Sequence, residues 1–121
     1  MHCYGEDCEV RCTAKDSCRN SSVSCDGNCA IYCMDQHACK DMFVYVDVND
    51  TVDQIYCEAQ DACDGLKMDL HGGNLFELYC IGAHDTCTGV DLHCHTGATC
   101  NVTCDGDNAC SGLNTTWVLS Y

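Results

Sequence analysis

The sequence predicts an all-β protein, a disulfide-rich parallel β-solenoid of about five coils with 21–24 residues per coil. Three observations predict it. A C-x5-C unit begins at Cys12, Cys33, Cys57, Cys80 and Cys104 and closes at Cys18, Cys39, Cys63, Cys87 and Cys110, the fourth copy one residue longer. Successive copies start 21, 24, 23 and 24 residues apart, a solenoid period with no helical stripe. Sixteen cysteines in 121 residues mark a disulfide scaffold.

The first strand of each coil runs into the opening cysteine. Two residues before that cysteine stand Val10, Ile31, Ile55, Leu78 and Val102; one residue before it stand Arg11, Tyr32, Tyr56, Tyr79 and Thr103. This alternation puts the aliphatic column inside with the cysteine and the second column outside. A turn column follows the closing cysteine: Asn20, Asp41, Gly65, Gly89 and Gly112, residues that tolerate left-handed backbone. The second strand then reads inward through Ser21, Met42, Leu66, Val90 and Leu113, and again through Val23, Val44, Met68, Leu92 and Thr115. Two strands per coil joined by tight corners, with hydrogen bonds between coils, make a solenoid, right-handed by the crossover rule. The coils divide the single domain 1–121 as 1–22, 23–44, 45–68, 69–92 and 93–121. The chain has no proline, in keeping with an unbroken ladder.

The remaining six cysteines fall into two columns. Cys3, Cys25 and Cys94 end the second strand, and Cys8, Cys29 and Cys100 open the first. In the third and fourth copies both columns lose their cysteine together, to Val46 with Asp53 and to Leu70 with Phe76. Positions that vanish together behave as bonded partners, giving Cys3–Cys8, Cys25–Cys29 and Cys94–Cys100. The other bridges are Cys12–Cys18, Cys33–Cys39, Cys57–Cys63, Cys80–Cys87 and Cys104–Cys110. Pairing between coils would strand thiols in columns with odd membership, whereas pairing within coils strands none. Each bridge closes a loop of about seven residues, worth roughly 2 kcal/mol by chain entropy. Zinc fits poorly, because no C-x2-C knuckle occurs.

Persistent disulfides require an oxidising compartment, so the protein is expected to be secreted. Four of seven asparagines lie in N-x-S/T sequons (Asn20, Asn49, Asn101 and Asn114), which points to a eukaryotic glycoprotein carrying N-linked glycans. The formal charge of −14 argues against nucleic acid and anionic membrane surfaces as partners. No apolar run is long enough to span a bilayer. Nothing after Met1 resembles a signal peptide, so Met1 is expected not to be a native start, or the sequence to be part of something longer. Neither end carries a capping helix, so the coils are expected to stack end to end on further solenoid segments or copies of the chain.

The repeated C-x-x-x-D-A-C-x-G-L unit, Cys57 to Leu66 and more loosely in the other coils, resembles the cysteine-rich parallel β-helix repeat proteins of extracellular structures. The resemblance spans essentially all 121 residues, although the first two coils lack the glycine. It implies a rigid extracellular rod.

Candidate chemistry is sparse. The column two before the closing cysteine holds Asp16, His37, Asp61, Asp85 and Asn108. It reads first as turn chemistry, second as a row able to hold calcium, and last as acid–base catalysis on polysaccharide. His93 and His95 flank Cys94 in an H-C-H run and read as solvated side chains rather than metal ligands. Tyr32, Tyr56 and Tyr79 form an outward ladder, either a contact surface for sugars or a neighbouring rod, or a stack that stiffens the sheet. The expected role is structural, without enzymatic activity: a glycosylated unit of an extracellular filament, appendage or coat. The alternatives are a carbohydrate-binding or carbohydrate-cleaving β-helix and, third, an ice-binding protein, although no regular threonine column supports the last.

Overall fold

The computed structural model describes the backbone of residues 2–46, 52–70, 75–82, 84–95 and 97–118, and their side chains apart from 2–6, 26 and 114–118. Nine strands occur among these residues: β1 (His2–Cys12), β2 (Ser22–Cys33), β3 (Phe43–Val46), β4 (Val52–Cys57), β5 (Lys67–Leu70), β6 (Leu75–Ile81), β7 (Asp91–His95), β8 (Thr99–Asp105) and β9 (Asn114–Val118). Every pairing is parallel, in the order β8-β6-β4-β2-β3-β5-β7-β9 with β1 on β2. Strand β2 serves both faces of the solenoid. Ser22–Cys25 pairs with β3, and Ala30–Cys33 pairs with β4. Among the described residues, no helix is long and apolar enough to cross a membrane.

Register follows the repeat. Cys12, Cys33, Cys57, Cys80 and Cys104 are cross-strand partners in one row, as are Val10, Ile31, Ile55, Leu78 and Val102. Burial alternates strictly along β4 and β6, with Asp53, Ile55 and Cys57 inside on one and Phe76, Leu78 and Cys80 on the other. On the opposite face Val23, Val44, Met68 and Leu92 are buried, followed by Val46 and Leu70. The narrow core between the two faces therefore holds one side chain per inward position, mostly aliphatic or sulfur, with Phe76 and Asp53 as exceptions. At its ends the packing thins, and Ser21, Val102 and Leu113 are only half-buried.

Two expectations are corrected. The structure makes about four full turns, not five, because five rungs from Val10 to Val102 enclose four intervals. The cysteine corner is also not a tight turn. It is a six-residue segment per coil that forms a third side of the solenoid. In each coil three alternate residues take left-handed backbone, for example His37, Cys39 and Asp41 at φ 58°, 60° and 55°.

The corner accounts for its own backbone. Ala38, Lys40 and Met42 donate their N–H groups to carbonyls three residues earlier, at Asp35, His37 and Cys39. His37 and Asp41 donate to Gln60 and Asp64 of the next coil, at 3.4 and 2.8 Å, while Cys39 donates to Ser17 of the previous coil at 2.9 Å. Left-handed residues thus alternate between forward and backward bonds along the axis, and each of these N–H groups finds a partner.

Irregular spacings are absorbed locally. The longer fourth corner extends β6 by one pair, Ile81 with Asp105, and leaves Asp85, Cys87 and Gly89 left-handed as in every other coil. In β1 a register shift between Tyr4 and Asp7 takes up the extra residue that separates Cys3 from Cys8 relative to Cys25 and Cys29.

Candidate functional site

Seven disulfides join described residues: Cys12–Cys18, Cys25–Cys29, Cys33–Cys39, Cys57–Cys63, Cys80–Cys87, Cys94–Cys100 and Cys104–Cys110. All lie within coils. The expected Cys3–Cys8 bridge involves Cys3, whose side chain lies outside the described residues. Each corner bridge ends on a left-handed cysteine, Cys18, Cys39, Cys63, Cys87 or Cys110, at φ 59–62°. An L-residue held there costs roughly 1–2 kcal/mol, which the loop-closure gain of about 2 kcal/mol per bridge offsets. Nothing in a cysteine's chemistry announces this conformation, and sequence reasoning missed it.

The column Asp16, His37, Asp61, Asp85 and Asn108 is left-handed in all five coils, at φ 56–60°. Aspartate and asparagine reach that region more readily than most side chains, so their recurrence follows from the backbone. Within this corner His37 faces Asp61 at 4.0 Å, and His84 faces Asp107 at 3.5 Å. On the β5–β7 face His95 Nε2 lies 2.6 Å from Asp69 Oδ1 in the neighbouring coil, and His93 Nε2 lies 3.4 Å from Asp91 Oδ1. The acids and histidines therefore pair and do not converge. Among the described residues, three potential ligand atoms come within 4.8 Å of one another only in groups built on disulfide sulfurs: Cys33, Cys39 and Cys63; Cys57, Cys80 and Cys87; and Cys25, Cys29 and Asp53. Neither the calcium row nor a metal at His93 and His95 has such a group.

Among the described residues Asp53 is the one buried acid, 2% exposed, and sequence reasoning gave it no role. It occupies the column of Cys29, Phe76 and Cys100, and its Oδ1 accepts the Cys29 N–H at 3.0 Å. Next to it Asn28 Oδ1 accepts the Val52 N–H at 2.8 Å, so two side chains continue the inter-coil ladder where β2 bends. The column alignment was the available signal: an acid in a row otherwise filled by cysteine and phenylalanine has to be buried.

The tyrosine ladder exists as a stack. Tyr32 and Tyr56 rings lie 5.0 Å apart and 5° from parallel, Tyr56 and Tyr79 4.9 Å apart and 9° from parallel. The Arg11 guanidinium sits 5.0 Å over the Tyr32 ring and pairs with Glu9. The hydroxyls are held as well. Tyr56 donates to Gln54 Oε1 at 3.1 Å, Gln54 donates to Glu77 at 3.2 Å, and Tyr79 donates to Glu77 Oε2 at 2.5 Å. These bonds, Tyr79's first, hold the Glu77 carboxyl below its ordinary range, against a smaller upward push from desolvation. The same bond to Glu77 raises the Tyr79 phenol, and desolvation leads the rise at Tyr56, followed by the charges of Tyr32, Glu77 and Glu58. Because the rings turn their faces to one another, the ladder first couples coils. Beside it lies a groove of about 360 Å³ whose lining includes Asp7, Glu9, Asn28, Ala30, Val52 and Gln54; Ala30 forms a gap in the column of Glu9, Gln54, Glu77 and Asn101.

Of the sequons, Asn20 is an exposed left-handed corner residue and Asn101 is exposed on β8, opposite Glu77. Asn114 begins β9 with its side chain outside the described set, and Asn49 lies outside the described residues.

Fold and site together define the class, a disulfide-clipped parallel β-solenoid with a stacked tyrosine ladder. Comparison with known proteins finds no matching family model, no matching curated protein and no matching solved structure.

Proposed function

We propose that the protein is a structural unit of a secreted, N-glycosylated extracellular filament, appendage or coat, assembled by end-to-end stacking of solenoid coils. The observation that carries this reading is the sameness of the coils. Every coil repeats three left-handed corner residues, and each corner cysteine from Cys39 to Cys110 donates its N–H to the coil before it. Among the described residues, departures from the repeat such as Asp53 inside and the gap at Ala30 outside lie on different columns and do not gather into one catalytic cluster. Disulfides in every coil suit an oxidising exterior. Exposed sequons at Asn20 and Asn101 would place glycans on the corner and at one end of the tyrosine face. The test is negative-stain electron microscopy of non-reduced protein purified from its source. Unbranched filaments with a regular axial repeat are expected, and discrete compact particles under native conditions would overturn the proposal.

A second reading, a carbohydrate-binding solenoid, is favoured by the groove over Ala30, which carboxylates and amides of Asp7, Glu9, Asn28 and Gln54 line. Polysaccharide pull-down and turnover assays on acidic glycans separate the two, since the structural reading expects neither retention nor cleavage.

A further inference from the structure

The buried bridges of neighbouring coils lie close together. The sulfurs of Cys33, Cys39 and Cys63 lie within 4.8 Å of one another, and so do those of Cys57, Cys80 and Cys87. Cys57 does not belong to the first group, nor Cys63 to the second. The Cys57–Cys63 bridge therefore lies between two others, Cys63 toward the bridge of the second coil and Cys57 toward that of the fourth. All six cysteines are fully buried, so no thiol in solution reaches them in the folded state.

We propose that the Cys57–Cys63 bridge relays thiol–disulfide exchange along the solenoid axis. A thiolate in the second coil, at Cys33 or Cys39, attacks Cys63 Sγ. A new bond forms between those sulfurs, the Cys57–Cys63 bond breaks, and its electron pair leaves on Cys57. The Cys57 thiolate then attacks Cys80 or Cys87, and the pair leaves on the other member of that bridge. One thiolate enters and one emerges two coils away. The number of disulfides is unchanged, no oxidant or reductant is consumed, and the proton lost by the first thiol is regained by the last. Exchange needs an attacking thiolate near one sulfur of a disulfide and a departing one at the other, and here Cys33 and Cys39 lie near Cys63 while Cys80 and Cys87 lie near Cys57. Sulfurs held within 4.8 Å of one another react with a high effective concentration, whereas burial disfavours the thiolate, so the relay is slow and base-promoted. A lone thiol left in one coil is thus not fixed there, and mispairing in a core closed to external catalysts can be corrected from the neighbouring coil.

The full chain carrying Cys39→Ala, folded and oxidised at pH 6.5, leaves Cys33 unpaired and tests the relay. Aliquots are moved to pH 8.5, quenched in acid, unfolded, alkylated and mapped by mass spectrometry. The alkyl label is expected to leave Cys33 and appear on Cys57 and on Cys80 or Cys87, with a Cys33–Cys63 cross-linked peptide. The rate should be independent of protein concentration and rise about 100-fold between the two pH values, following the thiolate fraction. A label that stays on Cys33 in a folded chain, or a rate that scales with concentration, would overturn the relay. If this variant does not fold, Cys33→Ala, which keeps cysteine at left-handed position 39 and leaves Cys39 near Cys63, goes through the same mapping and should move the label from Cys39 to Cys57 with a Cys39–Cys63 peptide. A label that stays on Cys39 in that folded chain would overturn the relay.

Discussion

The left-handed corner column carries a backbone cost for most side chains, and Gly89 isolates it. Gly89 has φ +66°, and a Cβ added there meets nothing within 4 Å, so Gly89→Ala perturbs backbone alone. An L-residue in this region costs roughly 1–2 kcal/mol. Stiffening of the unfolded chain returns about 0.4–1 kcal/mol. A net loss of about 1 kcal/mol is expected, read from the urea midpoint of the non-reduced protein with its slope unchanged. Gly89→Asn should lie within about 0.5 kcal/mol of wild type, because the same column holds Asn20 at φ 58°. Gly65 has the same backbone, but its added Cβ would lie 2.3 Å from Asp41 Oδ1. The carboxylate must turn aside, adding about 0.5–1.5 kcal/mol for an unfavourable rotamer. Gly65→Ala should therefore cost about 2 kcal/mol in total, taking both effects together. A neutral or stabilising Gly89→Ala would refute the left-handed corner, and equal losses at the two glycines would refute the contact between coils.

Other perturbations probe the core and the tyrosine face. Leu78→Ala removes a fully buried side chain from the central row and should cost about 2–5 kcal/mol in the same assay. Asp53→Ala strands the Cys29 N–H and should cost about 1–3 kcal/mol, whereas Asp53→Asn keeps an acceptor and should cost less. In an ultraviolet titration Tyr56 and Tyr79 should ionise above the ordinary tyrosine value of 10.0, and Glu77→Gln should bring Tyr79 back toward it. Their raised phenols stabilise the fold below the ordinary value, and that contribution fades as pH climbs through the folded values. Glu77 runs the other way. Its lowered carboxyl adds stability above the ordinary glutamate value, and the contribution is lost as pH falls through the folded value, visible as a smaller acid shift of the urea midpoint in Glu77→Gln.

What was legible in the sequence is what repetition makes legible. Val10, Ile31, Ile55, Leu78 and Val102 are one row because the spacing carries them there and because a parallel rung offers only two faces. Asn20, Asp41 and three glycines announced left-handed backbone through their chemistry, and φ values of 55–71° match it. The cysteines two residues earlier adopt the same conformation without a signal, since a cysteine's identity is set by its bond and not by its backbone. Asp53 hid for a related reason. One acid looks like another until register places it among buried neighbours. The His95–Asp69 pair is diagonal, joining residues one rung and two positions apart, and only side-chain direction determines it.

The pairing of the sixteen cysteines bears most directly on the account, because coils clipped individually are what leave the corner ladder free to repeat. Wild-type protein digested without reduction by an aspartate-directed protease, with fragmentation mass spectrometry, reads that pairing. Links joining Cys12 to Cys18, Cys33 to Cys39, Cys57 to Cys63, Cys80 to Cys87 and Cys104 to Cys110 are expected. Links between coils as the main species, such as Cys33 with Cys57, would contradict it.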